Sequence, residues 1–131
     1  MQNAMQIAAI AVFGAAGAVA RYTVSGWAYR ALGEEFPYGT LAVNLIGCFL
    51  LGAIVHVNQT TELIPFELRK GLTIGLLGAF TTFSTFGYET LQRLQTGQLW
   101  IGLLNIAANV VLGLLAVWIG VTIARLVYGG I

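Results

Sequence analysis

Apolar residues fill most of the chain in four long runs, and short polar stretches separate these runs. A helix needs about 20 mostly apolar residues to cross a bilayer, and each run meets that length. The pattern therefore predicts four transmembrane helices, at about residues 6–29, 38–57, 67–94 and 99–127. Leu32 to Pro37 and Asn58 to Pro65 hold the charged and turn-forming residues that we expect between the first three helices.

Composition supports lipid as the surrounding solvent. Hydrophobic residues make up 58% of the 131 residues and charged residues only 8%, whereas an average soluble domain has about 25% charged residues. No internal repeat or linker divides the chain, so we predict one all-α membrane domain over residues 1–131. The net charge of +1, without a basic cluster, excludes a nucleic acid as the partner.

The middle of the third run differs from an ordinary membrane helix. Residues 78–87 read Gly-Ala-Phe-Thr-Thr-Phe-Ser-Thr-Phe-Gly. Hydroxyl side chains compete for backbone hydrogen bonds, and the flanking glycines lower helix propensity. The composition therefore predicts a break near the middle of the third helix. In a bilayer such a break is tolerated only where protein covers it or where it lines a wet cavity or ion site.

Uncharged donors and aromatic rings gather around the predicted break. Phe83 and Phe86 are three residues apart, which places both rings on one helix face, and the edge of an aromatic ring can attract an anion. Hydroxyl and amide donors come from Thr40, Asn44, Thr81, Thr82, Ser84, Thr85, Asn105 and Asn109. This set suits a small anion stripped of water. The alternative is that the phenylalanines only pack and that the asparagines join helices.

Few ionisable groups lie within the runs. Arg21 and Glu89 are the two charges placed well inside predicted spans, where a charge indicates function unless the side chain reaches the membrane surface. Cys48 is alone, which excludes an internal disulfide and predicts a small buried side chain, and His56 is predicted to lie at the membrane surface. There is no Asp and no phosphate-binding glycine loop, so we predict that the protein is not an enzyme.

The basic residues do not favour one orientation. Lys and Arg normally concentrate on cytoplasmic loops, and here three fall on each side of the predicted membrane. The two sets are Arg69, Lys70 and Arg125, against Arg21, Arg30 and Arg93. Such a balance permits insertion both ways, as an antiparallel homodimer requires. Four helices from so small a chain cannot enclose a water-filled path, so oligomerisation is expected.

The sequence motifs resemble those of the Fluc (CrcB) family of fluoride channels. The segment from Gly78 to Thr90, with Thr-Thr-Phe-Ser-Thr-Phe at its core, resembles the family signature. Residues 39–47 resemble its second-helix motif, and Gly14 to Arg21 its first-helix pattern of glycines and an arginine. The resemblance extends over essentially the whole chain.

This resemblance implies an antiparallel, dual-topology homodimer in the cell inner membrane, with two pores that export fluoride passively. It implies a structural sodium ion at the dimer centre, held by the backbone carbonyls of Gly78 and Thr81. Phe83 and Phe86 would line the fluoride path, Asn44 would face it, and Arg21 would lie near the vestibule. The rest of the polar lining would be Thr40, Ser84, Thr85, Glu89, Asn105 and Asn109.

Three positions depart from the family pattern. Ala79 replaces a second glycine, Gly113 stands where several relatives have a serine, and Asn105 where some have a tyrosine. Two other interpretations remain open. A small proton-coupled drug exporter shares the size and hydropathy, although the first span here lacks the carboxylate typical of such exporters. A membrane scaffold without transport activity would fit the composition equally well.

Overall fold

Five helical segments make up the chain in the computed structural model, which describes residues 1–130 with every side chain in that range except that of Gln2. No strand occurs among these residues. The segments are α1 (Gln2–Leu32), α2 (Tyr38–Thr60), α3 (residues 66–80), α4 (Phe83–Gln95) and α5 (Leu99–Tyr128). The all-α prediction is therefore confirmed for the part of the chain that the structure describes.

Three of these helices are long and apolar enough to cross a membrane, as judged by length and composition. They are α1, from Asn3 to Leu32, together with α2 and α5. The first, second and fourth predicted spans fall within these three helices. The third predicted span, residues 67–94, corresponds to α3 and α4 in succession.

The third run is interrupted at Thr81 and Thr82. Helix α3 contains a π-helical stretch, Gly71–Leu77, and ends at Phe80. Thr81 and Thr82 then adopt extended backbone conformations, and the Thr82 side chain caps α4 by accepting a hydrogen bond from Thr85 N at 3.2 Å. The predicted break is thus observed, and its polar residues satisfy the start of the next helix.

Glycines let two pairs of helices approach closely. A Cβ atom at Gly52 of α2 would collide with the Val117 carbonyl of α5, and one at Gly17 of α1 would collide with the Leu76 carbonyl of α3. Small residues at such crossings allow backbones to pack against each other, which is typical of helices in membranes. The α2–α5 and α1–α3 contacts hold the broken segment beside α2.

Most large apolar side chains point outward. Phe83, Trp100 and Leu126 are each at least four-fifths exposed, whereas the buried apolar core of the described residues consists of Ala28, Val43, Leu77, Phe80 and Ala124. A single chain in water would not present so much apolar surface. Lipid or another protein chain must cover it.

The ends of α2 and α5 meet through His56. Its side chain is buried, and Nε2 lies 2.9 Å from the Gly129 carbonyl oxygen. His56 therefore sits inside the chain near a helix end, because the C-terminal residues after α5 cover it. His56 lies one turn before the end of α2, and its position at the membrane surface stays a prediction.

Candidate functional site

Asn44 bridges the break between α3 and α4. Its Nδ2 donates to the Thr82 carbonyl at 3.1 Å, and its Oδ1 accepts from Thr82 N at 2.8 Å. In an uninterrupted helix Thr82 N would donate to the carbonyl four residues earlier, at Gly78. The Asn44 carboxamide replaces that bond and satisfies both backbone groups of Thr82. An interruption in an apolar setting requires this kind of compensation.

A line of amide groups continues from Asn44 into α5. Asn44 Nδ2 also donates to Asn109 Oδ1 at 2.9 Å, and Asn109 Nδ2 donates to Asn105 Oδ1 at 3.0 Å. Asn105, which is fully buried, donates to Thr90 Oγ1 at 2.9 Å. We call Asn44, Asn109, Asn105 and Thr90 the amide ladder. The asparagines do join helices, and a ligand that approaches them competes with these bonds.

The two predicted phenylalanines lie together at the start of α4. The ring centroids of Phe83 and Phe86 are 5.4 Å apart, and the ring planes are inclined at 57°. Phe83 is 82% exposed, so its ring contributes little to the packing of this chain. In a tilted pair each ring presents part of its positive edge to its surroundings. The geometry is therefore compatible with an anion beside the rings.

A cleft of about 320 Å³ lies between the amide ladder and the rings. Its lining includes Asn44 and Asn109 of the amide ladder together with Thr81, Phe83 and Phe86. We call it the amide cleft. Cys48 is half-buried and also lines this cleft, so the prediction that it is a small core side chain holds only in part.

A second, more polar cleft of about 460 Å³ adjoins the break from the side of α1. We call it the arginine cleft, and its polar lining consists of Arg21, Tyr22, Ser25, Tyr29, Thr40, Thr82 and Thr85. Thr82 lines both clefts. Arg21 forms no hydrogen bond or ion pair with the side chains and backbone that the structure describes in residues 1–130. Its positive charge is therefore available to a ligand in this cleft.

Glu89 lies at the middle of α4 and does not line the arginine cleft. Tyr29 Oη donates to Glu89 Oε1 at 2.9 Å. Tyr29 was not among the residues predicted from the sequence, although Arg21, Ser25 and Tyr29 are spaced by four residues and so share one face of α1. This four-residue spacing could have identified Tyr29 from the sequence. Ser84 is exposed on the first turn of α4, and its Oγ lies 3.4 Å from Thr82 Oγ1.

The end of α3 presents carbonyl groups without internal partners. Leu77 O accepts from Thr81 N at 3.1 Å and from Thr81 Oγ1 at 3.0 Å. Within residues 1–130, the carbonyls of Gly78 and Thr81 receive no hydrogen bond, and Gly78 is exposed. No cluster of His, Cys, Asp or Glu suited to a metal occurs among the described residues. Carbonyl oxygens suit a hard cation, so the chemistry of Gly78 and Thr81 allows them to hold sodium, and the ion itself stays a prediction.

Comparison with known proteins places this geometry in a family. A family model described as "CrcB-like protein, Camphor Resistance (CrcB)" matches residues 8–121. The "Fluoride-specific ion channel FluC" of Geobacter metallireducens is 50% identical over 121 residues, which cover 92% of this chain and 98% of the relative. Proteins of the same name from Pelobacter propionicus and Geobacter sulfurreducens are 52% and 54% identical, over 92% and 91% of this chain and 95% and 96% of theirs. The chain therefore belongs to the CrcB family.

Proposed function

We propose that this chain is a subunit of a fluoride-selective ion channel. The observation that carries the proposal is the break at Thr81 and Thr82, which places uncharged donors and the Phe83–Phe86 pair around one cleft inside a membrane protein. The relatives named above as fluoride-specific channels support the same conclusion. The family is one of ion channels, so the chain is not an enzyme, as its lack of catalytic groups predicted.

Arg21 and the hydroxyl groups beside it draw the anion toward the break. A positive charge that has no partner within the described residues raises the local concentration of fluoride in the arginine cleft. Thr40 and Thr85 line the same cleft and can donate hydrogen bonds to an ion that is losing its water. Ser84 adds a further hydroxyl on the exposed first turn of α4.

The rings and the amide ladder provide selectivity. Fluoride passes along the edges of Phe83 and Phe86, while Asn44 keeps the break open and gives up one of its two Nδ2 hydrogen bonds, to Thr82 O or to Asn109 Oδ1, to bind the ion in the amide cleft. Asn105 and Asn109 hold Asn44 in place through their hydrogen bonds. A narrow path lined by hydroxyl, amide and ring-edge groups replaces the water of a small anion better than that of a large one. Chloride is therefore excluded by size.

A second copy of the chain completes the pore. Phe83, Ser84 and Thr85 are exposed in one chain, so a partner must cover them if they line a closed path. The equal distribution of basic residues supports an antiparallel homodimer of dual topology, with one pore on each side of its axis. Two copies would also double the carbonyls of Gly78 and Thr81 around a central sodium ion, which would link the two broken helices.

Transport is passive, and in a cell it carries fluoride out of the cytoplasm across the inner membrane. An exporter coupled to protons would need a carboxylate on its first helix by analogy with such proteins, and α1 has none. Glu89 lies on α4 and is bonded to Tyr29.

Efflux from proteoliposomes tests this function. Purified protein is reconstituted into vesicles loaded with potassium fluoride, valinomycin is added to carry potassium, and a fluoride electrode records the external ion. We expect rapid fluoride efflux and chloride efflux at the level of protein-free vesicles. Absence of fluoride efflux, or chloride efflux at the same rate, would reject the proposal.

A further inference from the structure

Tyr29 and Glu89 form a hydrogen bond between α1 and α4 away from the break. The two residues are 60 positions apart in sequence, and Tyr29 Oη donates to Glu89 Oε1 at 2.9 Å. The ring of Tyr29 packs directly against Gly39 of α2, where an added Cβ atom would collide with it. The close approach of α2 therefore fixes the ring, and the hydroxyl is presented to Glu89 in one position.

Glu89 has no other hydrogen-bond partner within residues 1–130. Its second oxygen, Oε2, is buried and receives no hydrogen bond from the described residues. The nearby guanidinium of Arg93 donates instead to Glu34 O at 2.8 Å and to Gln98 Oε1 at 2.6 Å. The Tyr29 hydroxyl is thus the one described group that fixes the direction of this carboxylate.

Tyr29 also lines two clefts. It lines the arginine cleft together with Arg21 and Thr85, and it lines a cleft of about 260 Å³ together with Glu89 and Arg93. Without the hydroxyl, the carboxylate of Glu89 would lose its one hydrogen bond to the described residues and could turn toward the arginine cleft, which Tyr29 also lines. A carboxylate there would repel fluoride and compete with it for the charge of Arg21.

We propose that Tyr29 is a positioning residue for ion conduction, which holds the negative charge of Glu89 out of the arginine cleft. This inference rests on the proposed function, because it concerns the fluoride path. It assigns the hydroxyl of Tyr29 to conduction rather than to folding. The ring alone would suffice to pack against Gly39.

The substitution Tyr29→Phe tests the inference in the full chain. We expect fluoride efflux to fall by about threefold to tenfold, as the loss of one hydrogen bond would allow, while dimer yield and unfolding temperature stay unchanged. In a Glu89→Gln background, where no carboxylate can repel the ion, Tyr29→Phe should change the efflux rate no further. Tyr88→Phe is the matched control, since Tyr88 is exposed, adjacent to Glu89 in sequence and absent from all three clefts.

Each outcome decides between the inference and a structural role. Tyr29→Phe is compared in the wild-type background and in the Glu89→Gln background. If it slows efflux equally in both, the hydroxyl acts through packing, and the inference is wrong. If Tyr29→Phe conducts as the wild type does, the inference is also wrong. Failure of the wild-type protein itself to release fluoride would reject the proposed function, and this result is distinguished by the wild-type measurement alone.

Discussion

The carboxamide of Asn44 pairs with the N–H and the carbonyl of Thr82, at 2.8 Å and 3.1 Å, although the two residues lie 38 positions apart. Asn44 belongs to the unbroken helix α2. Its side chain thereby replaces the helical hydrogen bonds that the neighbouring broken segment lacks at Thr82. The position of the break depends on this pair, and so do the walls of both clefts that meet at Thr82.

Replacing Asn44 by Ala should destabilise the fold and stop conduction. Both backbone groups of Thr82 would lose their partner, and each unsatisfied buried group costs about 1–3 kcal/mol. We expect a clear fall in unfolding temperature in detergent and efflux at the background level. Asn3→Ala is the control, because Asn3 is exposed near the start of α1. An Asn44→Ala protein with unchanged stability would contradict the bridging role.

Replacing Gly47 by Ala should displace the break from α2. The added methyl group would collide with Cγ2 of Thr81, and overpacking of this kind costs about 1–3 kcal/mol. The second substitution Thr81→Ser removes that methyl group and keeps the hydroxyl, so it should restore stability. Gly113→Ala serves as the control, since its methyl group would meet only Cys48 Sγ, at 3.7 Å. Denaturant unfolding in micelles measures all four proteins, and a stable Gly47→Ala single variant would refute the close contact.

Replacing Phe83 by Ile should lower fluoride efflux without unfolding the chain. The ring is 82% exposed, so its loss removes little packing within one chain, but it removes a polarised edge from the proposed path. We expect efflux to fall by about tenfold. Phe66→Ile, at an exposed position on α3, is the control. Wild-type efflux from the Phe83→Ile protein would show that the ring does not line the path.

Replacing Arg21 by Gln should slow fluoride efflux most strongly at low ionic strength. Arg21 has no partner in the described part of the chain, so its charge acts on the mobile ion. Screening shortens the reach of that charge from about 30 Å at 0.01 M salt to about 3 Å at 1 M. The difference from wild type should therefore shrink as an impermeant salt is added. Arg30→Gln, on the exposed last turn of α1, should behave as wild type. A defect independent of salt would exclude the electrostatic role.

Removal of sodium should weaken the dimer. If the carbonyls of Gly78 and Thr81 from two copies hold the ion, exchange of sodium for a bulky organic cation leaves these oxygens without a ligand. We expect the dissociation constant of the dimer to be higher in the exchanged buffer, so that the dimer comes apart at protein concentrations at which it persists in sodium. Single-molecule subunit counting or light scattering measures this change. Ion-replacement crystallography supplies a direct check, and a dimer axis without a cation between the α3 ends would contradict the prediction.

The break was predictable because its cause is local. A row of hydroxyl and aromatic residues between Gly78 and Gly87 favours hydrogen bonds to nearby backbone over a regular helix, and the structure departs from the helix at Thr81 and Thr82. Helix positions were also predictable from local sequence, because the length of each apolar run matches the thickness of the bilayer core. Helix α1 extends from Gln2 to Leu32, beyond the predicted 6–29, because helical hydrogen bonds continue outside the apolar run.

The pairing of distant side chains could not be predicted in this way. The polar character of Asn44 marked it as a candidate, but nothing in the sequence states that its partner is the backbone of Thr82. Tyr29 was missed because a tyrosine near a helix end is common at membrane surfaces, and only the fold brings it to Glu89. The π-helical stretches at Gly71–Leu77 and Ala108–Leu112 also depend on packing between helices.

The amide ladder contains only carboxamide and hydroxyl groups, and these neither gain nor lose a proton between about pH 4 and pH 9. Acidification on either face of the membrane therefore leaves the bonds that shape the interruption intact. A cell that meets an acidic medium would keep the same internal architecture at this point, and any response of transport to acidity must originate elsewhere in the protein.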